Sequence, residues 1–304
     1  MTTAYRRASG LQRMERFWGV ALALPAILGF LIFTLGPVIA SFGISLTDWN
    51  IYGDASFIGF ANYREMLTED ALFRKSLGVT LTYASISVPL TMIVAFLVAL
   101  LLNQDVKGRS FFRTIYYLPV LVPVIANTIL WLWLFNPEFG LLNQILERIG
   151  LPTSQWIYDP NTAVLSLALM GAWGFGNAAV IFLAGLQGVP GHLYEAVAVD
   201  GGGPFRKLFD VTIPMMTPTI LFNLVMGLIG AFQAFSEAYV MTNGGPSNST
   251  LLYVYYLYRT AFSDSRMGYA SALAWFLFVV IMIVALIVFR SSRLWVYYES
   301  EGQA

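Results

Sequence analysis

Cysteine is absent from this 304-residue chain, histidine occurs once as His192, and lysine only at Lys75, Lys107 and Lys207. A zinc site or a nucleophile–base pair built on several Cys and His side chains has almost nothing to draw on. None of the lysines follows a glycine, so the Gly-Lys-Ser/Thr end of a phosphate-binding P-loop is missing. Any ATP hydrolysis must lie in another chain. Without cysteine there are no disulfides, which says little about compartment. Charge is scarce as well: 11% of residues are charged, against about a quarter in soluble domains. The net charge is zero, so no bulk field favours a nucleic-acid partner. With 58% hydrophobic residues and a mean hydropathy of +0.68, an ordinary water-soluble enzyme is excluded.

What is present instead is long charge-free stretches. They run between Arg16 and Asp48, Lys75 and Asp105, Arg113 and Glu138, Asp159 and Glu195, Asp210 and Glu237, and Arg266 and Arg290. A hydrocarbon layer of about 30 Å needs about 20 apolar residues in a helix. The pattern predicts an all-α integral membrane protein with six transmembrane helices, near 18–46, 77–103, 112–135, 163–186, 215–239 and 269–289. The interval from Glu237 to Arg259 is broken by Asn243-Gly244-Gly245-Pro246 and reads as a loop followed by an aromatic-rich surface helix.

Orientation follows from Lys and Arg in the short loops. With the N-terminus inside, eleven of the seventeen, among them Arg6, Arg16, Lys107, Arg113, Lys207 and Arg290, fall in inner segments. Both termini are therefore expected in the cytoplasm. The first apolar run is too long for a signal peptide and lacks a small-residue cleavage site, so it reads as a retained helix. The chain divides into residues 1–75 (N-terminus, first span, first outer loop), a core over 76–290, and a cytoplasmic tail over 291–304. Pro25, Pro37, Pro89, Pro119, Pro123 and Pro218 fall in or beside spans. Proline frees backbone carbonyls that neighbours or water must satisfy. Broken helices around a wet path and the general abundance of proline in membrane helices explain them equally well.

Between the fourth and fifth spans, residues 187–214 carry the most informative segment. Pro190 starts a short helix, on which Leu193, Ala196 and Val197 share a face. Gly201 to Gly203 end it, because glycine takes left-handed backbone freely. Pro204 restarts a second short helix with Phe205, Leu208 and Phe209 on its apolar side, and Pro214 marks the entry to the fifth span. On physical pattern alone an amphipathic connector fits as well as a docking element.

Glu195-Ala196-Val197-x-x-Asp200-Gly201, with Ile213-Pro214 beyond it, resembles the signature loop of permease subunits in bacterial ATP-binding-cassette importers, written Glu-Ala-Ala-x-x-x-Gly. It departs from that pattern at Val197, where alanine is usual, at Gly202, and at Ile213 in place of leucine. Leu186-Gln187-Gly188-Val189-Pro190 resembles the lead-in to this loop. Thr242-Asn243-Gly244-Gly245-Pro246, Tyr258-Arg259-Thr260-Ala261-Phe262, Thr47-Asp48-Trp49-Asn50 and Gly59-Phe60-Ala61-Asn62-Tyr63-Arg64 resemble outer loops of the oligosaccharide and glycerol-phosphate branch, in its first permease subunit. The resemblance covers about residues 17 to 290.

The resemblance implies a type I importer fold and a bacterial cytoplasmic-membrane location. It implies four partners besides lipid: a second homologous permease, a pair of ATPase subunits that hold ATP and Mg, an extracytoplasmic solute-binding protein, and a sugar-like solute. This chain would bind no cofactor. The loop would couple to the ATPase through Glu195, Ala196, Asp200, Gly201, Phe205 and Pro214. Alternating access then requires different affinities in the two states.

Polar side chains within spans are candidates for the path when they face inward: Asn127, Asn177, Asn223, Gln233, Ser236 and Glu237. Trp173 and Phe235 offer flat faces for a sugar ring, and Trp173 and Asn177, four apart, share a helix face. Trp131 and Trp133 read rather as lipid anchors at an interface. A six-span secondary transporter or channel is the rival, but it would carry inverted repeats and a buried ionisable pair. A membrane-embedded enzyme would need ligands that one loop histidine does not supply.

Overall fold

The computed structural model describes residues 10–105 and 107–297. The outermost parts of the expected cytoplasmic ends, 1–9 and 298–304, lie outside the described residues. Among the described residues, regular structure is helical, apart from one antiparallel bridge between Thr47 and Phe57.

α1 (Gly10–Phe30) and α2 (Gly36–Ser45) are joined by a π turn at Leu31–Leu35, giving a continuous apolar rod over Met14–Ser45. The turn sits just before Pro37, and the Gly36 N–H reaches back to the Leu31 carbonyl. α3 (Ala61–Thr68) is a short outlier, after which Asp70 caps α4 (Ala71–Asn103) by accepting from the Phe73 N–H at 2.9 Å. At 1.5 Å per residue, the 33 residues of α4 reach about 50 Å. The expected third span is not one rod. α5 (Arg109–Leu121) and α6 (Val124–Leu134) meet at 97°. Pro123 disfavours helical backbone at the residue before it, and Val122 is extended at φ −74°, ψ 127°. The expected fourth span is likewise a pair. α8 (Ala163–Trp173) and α9 (Gly176–Gln187), which follow the short α7 (Leu141–Arg148), bend by 51° at Gly174-Phe175. Among the described residues, four helices are thus continuous, long and apolar enough to cross a membrane, or up to six if each bent pair counts as one span.

The expectation of a second, separate short helix after the glycines is corrected. α10 (Gly191–Val199) is separate, but α11 (Pro204–Lys207), a π turn at Leu208–Thr212 and α12 (Ile213–Phe232) form one helix from Pro204 to Phe232. Pro214 lies inside this rod. The π turn supplies the slack: the Ile213 N–H bonds five residues back to Leu208, and Pro214 follows with no donor to place. At its far end α12 stops at Phe232, short of the expected 239, and a separate π segment covers Ala238–Thr242. The aromatic-rich helix expected after the Gly-Gly-Pro loop is α13 (Tyr253–Tyr258), but it is not a surface helix: Tyr253, Tyr255 and Tyr256 are buried in the core, where their rings pack against neighbouring helices. The last expected span corresponds to α14 (Met267–Ser292).

α4 is the central post, with α8, α9 and α12 packed along it. A larger core joins Tyr83, Val88, Leu167, Phe232, Tyr253 and Leu273; a smaller one joins Ala95, Ala99, Phe182 and Met216. At the end bearing residues 47–70, a polar clasp ties distant segments. The second carboxylate oxygen of Asp70 accepts from Tyr256 (2.6 Å) and Tyr269 (2.5 Å), and Arg266 forks onto Glu65 at 2.7 and 2.8 Å. Burial pushes the Asp70 carboxyl up, but the bonds from Tyr256, Tyr269 and the Phe73 and Leu72 backbone outweigh it and hold it below its ordinary 3.8.

Candidate functional site

Two features of the chain could carry function, a rigid exposed corner and a polar cavity. The corner follows from the glycines. Pro190 enters α10 with extended backbone, and the helix closes through bonds from the Gly201 N–H to Ala198 and from the Gly202 N–H to Val197. Gly201 has φ +74°, where a side chain costs about 1–2 kcal/mol. Gly202 is required by space: a Cβ there would sit 2.4 Å from Val197 Cγ1 and 2.8 Å from the Val197 carbonyl oxygen. The chain then turns through Gly203 into Pro204. Tyr194 and Thr212 share a hydroxyl bond of 3.1 Å that pins α10 to the long helix, and the Arg206 guanidinium pairs with Asp210 at 3.2 Å.

Glu195, Ala196, Asp200 and Gly201 are exposed on this corner. Val199 is 87% exposed, Phe205 78% and Phe209 61%. Of the apolar side expected for the second helix, Phe205 and Phe209 therefore face away from the chain, while Leu208 is half-buried. Clustered exposed apolar groups rimmed by charge mark an interaction surface. Of the six residues singled out for coupling, five lie on the corner. Pro214 is set apart, half-buried in the helix that carries the corner. His192 is exposed beside it.

The cavity, of about 680 Å³, lies between α4, α5, the α8–α9 bend and α12. Its polar wall comprises Tyr83, Ser87 and Thr91 from α4, Asn177 from α9, Asn223 from α12, and Glu237 beyond the end of α12. Small residues open the space: Gly171 and Gly174 on one side, Gly227, Gly230 and Ala231 on the other. Such a volume, with a few polar groups on apolar walls, suits a small molecule.

Asn177 and Glu237 are thus brought together, and Asn223 with them, although Asn223 also donates to the Thr219 carbonyl at 3.1 Å. The other candidates do not line this cavity. Trp173 stands edge-on to Trp131, centroids 6.1 Å apart. Gln233 caps α12 and is exposed, and Asn127 is half-buried on α6. Phe235 stacks on Tyr239 at 5.2 Å. Trp131, read from the sequence as a lipid anchor, is instead buried against Phe135, whereas Trp133 is exposed. The wall residues that sequence reasoning missed did leave a signal: Tyr83, Ser87 and Thr91 recur every four residues, one polar stripe along an apolar helix.

Residues 91–296 match the family model of the binding-protein-dependent transport system inner membrane component. The "Probable ABC transporter permease protein YesP" of Bacillus subtilis is 40% identical over 295 residues, covering 96% of this chain and 95% of the relative. The diacetylchitobiose uptake system permease protein NgcF of Streptomyces coelicolor is 34% identical over 292 residues, covering 91% and 81%. Among solved structures, the bacterial alginate ABC transporter in complex with its alginate pentasaccharide-bound periplasmic protein matches with a TM-score of 0.77. That match covers 92% of this chain and 96% of the solved one at 24% identity, and bears on the fold. With an exposed corner between apolar helices, a polar cavity between broken ones, and a family match across two thirds of its length, the chain belongs to the inner-membrane components of binding-protein-dependent transport systems, a multi-pass family of ABC transporter permeases.

Proposed function

We propose that the chain is the first permease subunit of an ATP-driven importer that brings a sugar or oligosaccharide into the cytoplasm. The observation that carries the coupling half of this reading is the corner itself, where Val199 and Phe205 stay exposed on backbone locked by Gly201 and Gly202. A monomer gains nothing from a rigid apolar knob in water; a docking partner does. In this reading the corner seats in an ATPase subunit, with Glu195 and Asp200 meeting basic groups. ATP and Mg are held by that ATPase pair, and this chain needs no cofactor of its own.

The solute class rests on relatives named for diacetylchitobiose and for arabinooligosaccharides, the latter 34% identical over 272 residues. The cavity agrees with it, since hydroxyl, amide and carboxylate groups replace the water around a sugar. A second homologous permease completes the path. A solute-binding protein delivers from outside, onto the face bearing residues 47–75 and 240–266, with both termini inside.

The test is a docking measurement. Phe205→Glu and Val199→Glu are expected to leave membrane insertion intact while abolishing co-purification of the ATPase and solute uptake. Undiminished co-purification and uptake in both variants would overturn the coupling role.

A further inference from the structure

A second cavity, of about 530 Å³, lies between the C-terminal end of α4, α5 and the length of α9 from Gly176 to Gln187, reaching toward the end of the bundle that carries the corner. Leu102 and Leu183 give it apolar walls, the Tyr116 ring borders it, and Arg113, Thr114 and Gln187 supply polar groups. This is again the composition of a small-molecule site. The two cavities share two wall residues, Tyr117 and Val180. At the same level α5 is pressed onto α9: a Cβ on Gly176 would lie 2.6 Å from Val120 Cγ2 and 3.2 Å from the Tyr116 carbonyl oxygen. The helices are thus closed on each other beside the shared wall, and what the two cavities have in common is a pair of side chains. One is an aromatic ring on α5, the half of a bent pair set at 97° to its continuation.

Resting on the import reading above, we propose that the second cavity is an inner chamber that receives the saccharide after the first, and that Tyr117 is the gate between them. The ring of Tyr117 lines both spaces, and it turns about two side-chain bonds with no break in the helix. Its flat face, with that of Tyr116, suits a sugar ring, while Arg113, Thr114 and Gln187 suit its hydroxyls. Movement of α5 relative to α9 then opens the wall without unfolding either helix.

The native chain has no cysteine, so single thiols report directly. Thr91→Cys marks the first cavity and Ala184→Cys the second; each is placed in the assembled importer in inside-out vesicles and treated with a bulky impermeant maleimide. Both adducts are expected to block uptake when the labelled complexes are reconstituted, and a methyl-sized adduct at Ala184→Cys to spare it. Labelling of Thr91→Cys from the inner face should quicken at least about tenfold with Tyr117→Ala, a ratio equal to about 1.4 kcal/mol of closed-state preference. Tyr117→Phe, which keeps the ring, should label at the native rate, and Tyr117→Leu reports the same contrast should the alanine variant fail to assemble. If the Ala184→Cys adduct leaves uptake intact while the Thr91→Cys adduct blocks it, the inner chamber is off the path and holds lipid or nothing. If ring removal leaves the labelling rate unchanged, Tyr117 is not the gate. If neither adduct affects uptake, the first cavity fails as well, and with it the import path itself.

Discussion

Gly202→Ala tests the corner at its tightest point. The added methyl would lie 2.4 Å from Val197 Cγ1, 2.8 Å from the Val197 carbonyl oxygen and 3.1 Å from Arg206 Cδ. Arg206 is flexible and can move aside, and Val197 can turn a methyl away. The carbonyl cannot move freely, because it accepts the Gly202 N–H at 2.8 Å and so closes α10. Relief requires the corner to open. Overpacking of this kind costs about 1–3 kcal/mol. Neither α10 nor α11 contains a buried residue, so the cost stays local and the permease still inserts. If docking needs this corner, that cost is subtracted from the docking free energy, and affinity for the ATPase falls by about 5- to 150-fold. Gly201→Ala gives the scale. Its Cβ meets nothing within 4 Å, so only the left-handed backbone at φ +74° opposes it, about 1–2 kcal/mol. Val197→Ala added to Gly202→Ala removes the Cγ1 clash but not the carbonyl one, and should recover some of the loss. Titration of purified ATPase onto each variant in nanodiscs reads the order directly. Docking by Gly202→Ala as tight as the native chain, or tighter than by Gly201→Ala, would refute the reasoning.

Three further outcomes follow from other regions of the molecule. Asp70 is held below its ordinary 3.8 in the fold, so it contributes stability in full above 3.8, and that contribution is lost as pH falls below 3.8 through the folded value. Asp70→Asn should flatten the acid limb of a melting-temperature series run from about pH 6 to about pH 3; an unchanged limb would mean that another group governs it. Glu237→Gln and Asn177→Leu, on the cavity wall, should each lower uptake with basal ATPase retained, while Gln233→Ala, off the wall, should transport normally. The opposite ranking would move the path to the far side of α12. For topology, Ser247→Cys should react with an impermeant thiol reagent in intact cells and Gly191→Cys should not, and the reverse pattern would invert the chain.

How far the sequence reaches depends on the range of the physics involved. Charge gaps located α4 and α14 because the cost of burying charge is a property of each segment alone, and it needs no neighbour. Pro123 announced an interruption, but its 97° angle depends on how α5 lies across α9, which Gly176 permits by having no side chain opposite Val120. Pro214 misled for a related reason. A proline ends a helix by default, and only the preceding π turn carries the rod through it. The Asp70 clasp was out of reach, because Tyr256 and Tyr269 stand 186 and 199 positions away. In the cavity, Asn177 and Glu237 stood out as strong polar groups in apolar runs. Ser87 and Thr91 did not, since Ser and Thr hydroxyls are inexpensive in a helix, where such short groups can bond back to the preceding turn; Tyr83 read as one more aromatic in an apolar run. Trp173 and Phe235 were chosen for ring chemistry that aromatic packing uses equally well: Trp173 stands edge-on to Trp131, and Phe235 stacks on Tyr239.

The prolines, balanced at the outset between a wet path and mere membrane habit, now separate by position. Pro25 sits in a rod whose apolar window has no buried residue in this chain, and Pro89 is exposed on the outside of α4. Neither lines the two cavities described above, and both fit the general tolerance of membrane helices for proline. Pro123 does different work. It turns the chain at Val122, and that turn lays α5 across α9 so that Tyr116 and Tyr117 reach the cavity walls. Across from it, the break at Gly174-Phe175 leaves Gly174 and Asn177 on the wall of the first cavity. A straight fourth span would carry its N–H to C=O bonds unbroken past that level, and side chains in place of Gly171 and Gly174 would fill the space. The hollow is therefore made by two interruptions, one a proline and one a glycine, set against each other on neighbouring spans. Restoring either one to regular helix, by Pro123→Ala or by Gly174→Leu, should close the cavity and stop uptake, whereas Pro25→Ala and Pro89→Ala should not. Loss of transport in the latter pair, with the former pair active, would assign the path to a different face of the bundle.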